Sequence, residues 1–425
     1  GCLLTAMSLL TFVAMVAAPA IIYIYAPGFH NDPEKFELAV DMFRLTIPYL
    51  LFMSLTAFAS SILNSYGSFA SPAFSPVLLN VAMIAGAWGL TPYMAEPIMA
   101  LGWAVVVAGV LQLAIQIPEL WSKNLLIPPK VDFKHEGVDR ILKLMLPALF
   151  GVSVTQINLL LNTIWASFMQ DGSVSWLYSA ERMTELPLGL IGVAIGTVIL
   201  PSLSARHAEQ DQAKFKSMID WAAKIIMLVG IPASIALFML STRIIQALFQ
   251  RGEFTLEDTR MTALALQCMS AGVISFMLIK VFAPGFYAQQ DTKTPVRVGL
   301  MAVAANAILN VIFIGLFKLI DWHAEHMALA MASSGSALVN AGMLYFYLHK
   351  RNIYRFGAHW KKLALQYTVA NITMIAALWY GLTWYQGDIS QWLRIVEVVG
   401  LCVIGVIAYV IGLFAMGFRP RHLKA

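Results

Sequence analysis

Polar chemistry is scarce in this chain, and it concentrates in one stretch. Ser173-Val-Ser-Trp-Leu-Tyr-Ser-Ala-Glu-Arg-Met-Thr-Glu185-Leu-Pro-Leu-Gly-Leu-Ile-Gly-Val-Ala-Ile-Gly196 follows a tight Asp171-Gly172 turn. On a helix Glu181 and Glu185 share a face at i,i+4, and Arg182 meets Glu185 at i,i+3. Arg182 stands about nine residues past the turn, roughly 13 Å along a helix. An arginine at that depth must face a cavity or a partner, because hydrocarbon penalises charge. A guanidinium forks onto phosphate oxygens, so Arg182 is suited to an anionic headgroup. The two carboxylates would fix its rotamer or contact sugar and peptide groups. The competing reading is an Arg–Glu pair that only fixes helix register. Pro187 should bend the helix. Gly189, Gly192 and Gly196 offer small surfaces for close helix approach.

Other polar positions are more dispersed. Thr155, Gln156, Asn158 and Asn162 line a cavity or bond to neighbouring helices. Asn306 and Asn310 coordinate a cation or pack as polar groups. Lys280 either snorkels from near the end of its span or meets substrate. Asp321, His323, Glu325 and His326 fall in a short loop, where a solvated loop is the default and a metal site the alternative.

These residues need elements to hold them. The chain of 425 residues is 59% hydrophobic and 12% charged, with net charge +5 and mean hydropathy +0.73. A soluble domain carries about 25% charge, so a water-facing surface cannot be built here. Long apolar runs of about 20 residues read as transmembrane helices, not the short alternating segments of a barrel. The expected spans are Leu3–Tyr25, Leu38–Leu63, Ser75–Thr91, Ile98–Ile117, Ile141–Met169, Val174–Leu203, Trp221–Leu248, Met261–Tyr287, Val296–Phe317, Met327–Leu348, Leu363–Tyr385 and Trp392–Met416. Cys2, Cys268 and Cys402 show neither metal-ligand spacing nor a disulfide framework.

Lys and Arg crowd the even-numbered loops and the C-terminal tail, from Lys123, Lys130 and Lys134 through Arg206, Lys214 and Lys216 to Arg355, Lys361, Arg419, Arg421 and Lys424. The odd loops hold fewer, among them Lys35, Arg44, Arg251 and Lys318. The even side is therefore expected to be cytoplasmic, with both ends of this chain on it. The positive charge needs no nucleic-acid partner.

Two segments repeat. Tyr25-Ala-Pro-Gly-Phe29, an acidic stretch, a span, Asn64-Ser-Tyr-Gly-Ser-Phe69-Ala-Ser-Pro72 and a span with Asn80 form the first. Phe249-Gln-Arg-Gly-Glu-Phe254, an acidic stretch, a span, Phe286-Tyr-Ala-Gln-Gln-Asp-Thr-Lys-Thr-Pro295 and a span with Asn306 form the second, at an offset of about 224. Such repeats point to a transporter with its site between two halves. Gly1 opens the chain inside an apolar run, which a cleaved signal peptide or a truncation would explain. The spans over Ile141–Met169 and Val174–Leu203 have no counterparts in the first half, so the repeat favours a protein lacking its first two helices.

No HExxH, Walker A or GxSxG motif is present, so the chain is not expected to be an enzyme. Without ATP machinery, transport would draw on membrane potential, a monovalent ion or the substrate gradient. No resident cofactor is expected.

Ser71-Pro-Ala-Phe-Ser-Pro-Val-Leu-Leu-Asn80, Gly151-Val-Ser-Val-Thr-Gln-Ile-Asn158, Gly172-Ser-Val-Ser-Trp-Leu-Tyr-Ser-Ala-Glu-Arg182 and Ala283-Pro-Gly-Phe-Tyr-Ala-Gln-Gln-Asp-Thr-Lys-Thr-Pro295 resemble the MurJ (MviN) family of bacterial lipid II flippases. The resemblance runs over nearly the whole chain. It implies an all-α polytopic membrane protein in the fold of the multidrug/oligosaccharidyl-lipid/polysaccharide exporters. Two pseudo-repeated helical lobes and a C-terminal helix pair would give about 12 helices here of an expected 14. Residues 1–120 would be the rest of the N-lobe, 121–140 a cytoplasmic linker, 141–350 the C-lobe and 351–425 a two-helix groove for the polyprenyl tail. Arg182 matches a cavity arginine of the family and Glu185 keeps an acidic position. Glu181 stands where aspartate is common. Arg182, Glu181, Glu185, Gln156 and Asn162 are the substrate-binding candidates, and Pro187, Gly189 and Gly192 the gating ones. The family's other cavity charges lie in the two helices expected to be missing, so a chain of this extent should be incompetent alone.

The implied activity moves an undecaprenyl-pyrophosphate-linked peptidoglycan precursor from the inner to the outer leaflet by alternating access. The implied setting is the bacterial inner membrane, with membrane lipids around a monomer. A multidrug cation antiporter or another polyprenyl-linked glycan flippase of this fold are the nearest alternatives. A membrane glycosyltransferase would need a catalytic acid in a large outer loop, and no predicted outer loop is long enough.

Overall fold

The computed structural model describes residues 1–384 and 390–419, without the side chains of 144, 146–155 and 193. Tyr385, Arg421 and Lys424 therefore lie outside the described residues, as do the side chain of Thr155 and the side-chain environment of part of the Gly151–Asn158 stretch. Helices account for the regular structure, with no strand among the described residues. They are α1 (Cys2–Val16), α2 (Ala18–Tyr25), α3 (Pro33–Thr46), α4 (Pro48–Ser65), α5 (Ala70–Gly89), α6 (Met99–Ala114), α7 (Ile117–Ser122), α8 (Glu136–Ser167), α9 (Ser173–Pro187), α10 (Ala194–Ala208), α11 (Gln212–Leu248), α12 (Leu256–Ser270), α13 (Val273–Tyr287), α14 (Lys293–Leu319), α15 (His326–Lys350), α16 (His359–Trp384) and α17 (Gln391–Ala415).

Among the described residues, ten helices or helix pairs are long and apolar enough to span a bilayer, or eleven if α1 and α2 form one bent span. The remaining expected span falls on α8, a 32-residue helix whose middle lies partly outside the described side chains. Several expected spans differ in detail. The first is not continuous: α1 and α2 are bent by 75° at Ala17, where Pro19 opens α2 and cannot donate to the preceding turn. The fourth ends early and resumes as α7 at Pro118. The seventh starts nine residues sooner than Trp221, because Asp211 caps Gln212 onward by accepting from the Lys214 N–H at 2.9 Å.

The chain divides into Gly1–Phe150 and Gly151–Ala425. In the first unit α6 packs between α5 and α4. A Cβ on Gly86 would lie 2.6 Å from that of Ala104, the close approach that small residues permit where lipid supplies no hydrophobic drive between helices. Gln112 adds a polar tie, accepting from the Tyr49 hydroxyl at 3.1 Å and donating to the Ser75 carbonyl at 3.2 Å. Ser71 donates to Glu119.

In the second unit α11 is the central post, contacting α10, α12, α13, α16 and α17. Its buried face, including Ile219, Ile226 and Leu240, joins two apolar clusters. α12 and α13 are one span broken at Gly272, where the backbone of Ser334 comes so close that a Cβ would sit 2.9 Å from the Ser334 Cα. The Ser334 hydroxyl donates to the Cys268 carbonyl at 2.7 Å, which absorbs an acceptor released at the break.

The repeat is visible in backbone detail. An offset of about 224 carries the α3–α4 break at Ile47 onto the α12–α13 break at Ala271. Both helices open on a capped turn just after the repeated phenylalanine. Asp32 accepts from the Lys35 N–H, and Thr255 with Asp258 forms a reciprocal capping box. The outward faces are apolar, as with Ile84, Trp88 and Ile411. A water-soluble protein would not leave such a surface uncovered.

The candidate headgroup site

α9 is positioned from its first turn. Gly172 takes φ 95° to turn the chain into it, a conformation glycine adopts without a Cβ penalty. Trp176, one turn in, is 4% exposed. Its indole donates to Asp258 at 2.8 Å, and its ring lies 5.0 Å from that of His326. His326 is itself buried, with Nε2 2.9 Å from the Met261 carbonyl. The sequence placed His326 in a solvated loop; instead it begins α15 and packs α9 onto α12. Among the described residues no group of three metal-ligating side chains occurs.

Two turns further on, the Arg182 guanidinium donates from Nε at 3.0 Å and Nη2 at 2.8 Å to the Tyr178 hydroxyl, and from Nη1 at 3.0 Å to Glu185. It also lies 4.9 Å from the centre of the Tyr178 ring. Three of the five guanidinium N–H groups are thereby engaged, and two stay available to a ligand. The Arg182 and Glu185 side chains are 55% and 52% exposed, so the group projects from the unit instead of knitting it together. Tyr178 did not stand out in the sequence. Its i,i+4 spacing to Arg182 was the signal that could have found it. The Glu181 carboxylate shares this neighbourhood and accepts no hydrogen bond among the described residues.

Beyond Glu185 the expected bend takes the form of a π-helical turn, Leu188–Val193. Pro187 offers no N–H to the helix ladder, and the wider turn re-registers the backbone beyond it. Gly189 has open space where a Cβ would be. Gly192 and Gly196 face α13, with Met277 3.7 Å and Lys280 3.8 Å from ideal Cβ positions. Lys280 itself is exposed.

A second polar group forms deeper in the unit. Asn162 donates to the Ser333 hydroxyl at 3.0 Å and accepts from Asn310 at 3.3 Å, and Asn310 also donates to Asn306 at 3.0 Å. Asn306 and Asn310 are fully buried. Asn158 Oδ1 and Asn310 Oδ1 remain buried acceptors without a donor, and Asn306 Nδ2 a buried donor without an acceptor. Among the described residues no hydrogen bond joins this group to Arg182, so the structure separates Asn162 from the charged cluster in bonding. Gln156 is exposed on α8.

At the opposite pole, Asp291 follows α13. It accepts from the Thr294 hydroxyl at 2.6 Å and the Arg351 guanidinium at 2.5 Å. Partial burial would raise its carboxyl, but the bonds from Thr294 and Arg351 outweigh that and hold it at about 2.

Residues 1–399 match the family described as "Lipid II flippase MurJ". The chain is 41% identical to a probable lipid II flippase MurJ of Haemophilus influenzae over 98% of its length and 83% of that protein. It is 37% identical to the lipid II flippase MurJ of Burkholderia cenocepacia over 99% of its length and 81% of that protein. A solved lipid II flippase MurJ, in an inward closed conformation, superposes with TM-score 0.78 at 25% identity over 96% of this chain and 80% of that one. An inward-facing multidrug transporter of the MATE family shares the fold alone, at TM-score 0.63 and 15% identity over 82% of this chain and 80% of that one.

Proposed function

The chain belongs to the MurJ family of lipid II flippases, and from that membership we propose that Arg182 receives the pyrophosphate of lipid II while the headgroup crosses by alternating access. It is a multi-pass membrane transporter, not an enzyme. The observation that carries the site assignment is the state of Arg182, whose guanidinium is oriented by Tyr178 and Glu185 yet retains two donors. A pyrophosphate presents oxygens that such a pair of N–H groups can bridge. Lowering the cost of a multiply charged headgroup in a low-dielectric path requires this kind of fixed cation.

Glu181 and Gln156, both without bonding partners among the described residues, are assigned to sugar and peptide groups. Asn162 would take part only by exchanging its bonds to Ser333 and Asn310 for substrate. Pro187, the π turn, Gly189 and Gly192 form the gating segment. The tail is assigned to the helix pair within 351–425, the C-lobe to 141–350, the linker to 121–140 and the remaining N-lobe to 1–120. By the distribution of Lys and Arg the even loops and both ends of this chain face the cytoplasm of a bacterial inner membrane, and the protein acts as a monomer. Membrane potential or a monovalent ion drives the cycle. The unpaired amide oxygens of Asn158 and Asn310 fit a weakly held monovalent cation better than a transition metal, since they are hard, neutral ligands.

The test is accessibility of lipid II at the outer face of cells depleted of the native flippase and supplied with the full-length protein. Restored accessibility is expected. Lipid II that stays inaccessible despite normal membrane insertion would refute the assignment.

A further inference from the structure

A second cluster of charge lies where α11 begins and the segment between α15 and α16 crosses it. Asp220 is its centre. Oδ1 accepts from the Tyr354 hydroxyl at 2.8 Å and the Trp360 indole at 2.7 Å. Oδ2 meets the Lys224 ammonium at 2.7 Å and His359 Nε2 at 3.0 Å. A carboxylate offers about four lone-pair sites, so Asp220 is saturated, and Lys224 balances its charge.

Beside it opens a cavity of about 380 Å³, with Lys216, Ser217, Asn352, Arg355 and His359 in its walls. Asp220 is the sole carboxylate among the lining residues. Lys216 sits one helical turn before Asp220. Three other cations of this unit are matched: Lys214 with Asp211 at 3.0 Å, Arg206 with Glu209 at 2.7 Å and Arg351 with Asp291 at 2.5 Å. Lys216 and Arg355 have no ion pair or hydrogen bond among the described residues. The cavity thus combines two uncommitted cations with a hydroxyl and an amide, and its acid is fully bonded elsewhere. Its walls come from the first turns of α11 and from the segment between α15 and α16, next to the ends of helices long and apolar enough to span a bilayer, and its volume falls at the small end of ligand pockets.

We propose that this cavity binds the phosphate of a lipid headgroup, with Lys216 and Arg355 as its charge partners and Ser217 and Asn352 as neutral donors. Basic pockets between spanning helices take anionic headgroups in this way. Because the walls belong both to α11 and to the segment leading into α16, a bound phosphate ties the C-terminal helix pair to the rest of its unit. The inference does not depend on the role of Arg182.

The test is lipid retention by the full-length protein, followed by native mass spectrometry with phosphatidylglycerol or phosphatidylcholine as the probe. The wild type should prefer phosphatidylglycerol. Lys216→Gln with Arg355→Gln should lower that preference roughly thirtyfold, at about 1 kcal/mol for each charge near the surface. Lys361→Gln with Lys362→Gln removes the same charge from residues outside the cavity and should largely keep the preference, since those lysines lack the neutral donors Ser217 and Asn352 beside them. Lys216→Arg with Arg355→Lys should also keep it, which separates lost charge from lost folding. Equal retention of the two lipids by the wild type, or an equal loss in the Lys361 and Lys362 variant, would overturn the site. Competition by a polyprenyl pyrophosphate at equal concentration would identify the phosphate as that of the transported lipid class. Failure to compete would identify it as bulk phospholipid, and both results retain the site.

Discussion

Replacing Arg182 with alanine separates a transport charge from a structural one. Its ion pair with Glu185 joins two residues of one helix, and both side chains are more than half exposed. Such a pair contributes about 0.2–1 kcal/mol. The two bonds to the Tyr178 hydroxyl add about 1 kcal/mol at this exposure. Arg182→Ala should therefore cost less than about 2 kcal/mol of stability, a shift of only a few degrees in Tm. The cost in transport is of another order. Losing two charge-assisted bonds to a pyrophosphate, at about 1.5–3 kcal/mol each, removes roughly two to four orders of magnitude in the rate at which the headgroup crosses. Arg182→Lys keeps the charge without the fork and should fall between. The assays are thermal unfolding of the purified variant and outer-face accessibility of lipid II in cells that depend on it. Normal accessibility with Arg182→Ala would refute the substrate role. A collapse of Tm by ten degrees or more would show that the group is structural after all.

Three other outcomes are expected. Asp291 is held at about 2, below the usual carboxylate value, so its stabilising contribution is present above about pH 4 and is lost as pH falls towards 2. Asp291→Asn should lower stability by about 1–2 kcal/mol near neutrality, and its Tm difference from wild type should close below pH 4; a difference independent of pH would contradict this. Gly412→Val should cost about 1–3 kcal/mol by overpacking, because its Cβ would stand 2.8 Å from the Ala370 Cα where α16 meets α17; an unchanged Tm would show that the pair separates freely. Trp176→Phe should cost about 1–2 kcal/mol by removing the indole bond to Asp258, and should impair lipid II accessibility through α9; if only stability moved, the anchor would have no bearing on the Arg182 group.

What the sequence determined was whatever depends on solvent and on neighbours along the chain. Too few charges for water, apolar runs of span length and a repeat at an offset of about 224 settled the helical class, because a bilayer tolerates few other backbones. The Arg182–Glu185 pair was legible for the same reason: i,i+3 geometry belongs to any helix. The resemblance then named a family that the comparisons establish. Tertiary structure decided what depends on approach between distant segments. His326 read as a loop histidine until α9 and α12 enclosed it. Asn162 gave no sign of joining Asn306 and Asn310, since 148 residues separate it from Asn310; only the bond between Asn306 and Asn310, at i,i+4, was open to helix spacing. Asp220 drew no attention, yet Tyr354 and Trp360 reach it across 134 and 140 residues. Even Arg182 changed. The sequence supplied a charge that needed a cavity or a partner; the structure shows Tyr178, one turn back on the same helix, as a second holder and leaves two N–H groups free. Spacing along a helix fixes which side chains can meet, whereas only packing fixes which of their donors remain unused.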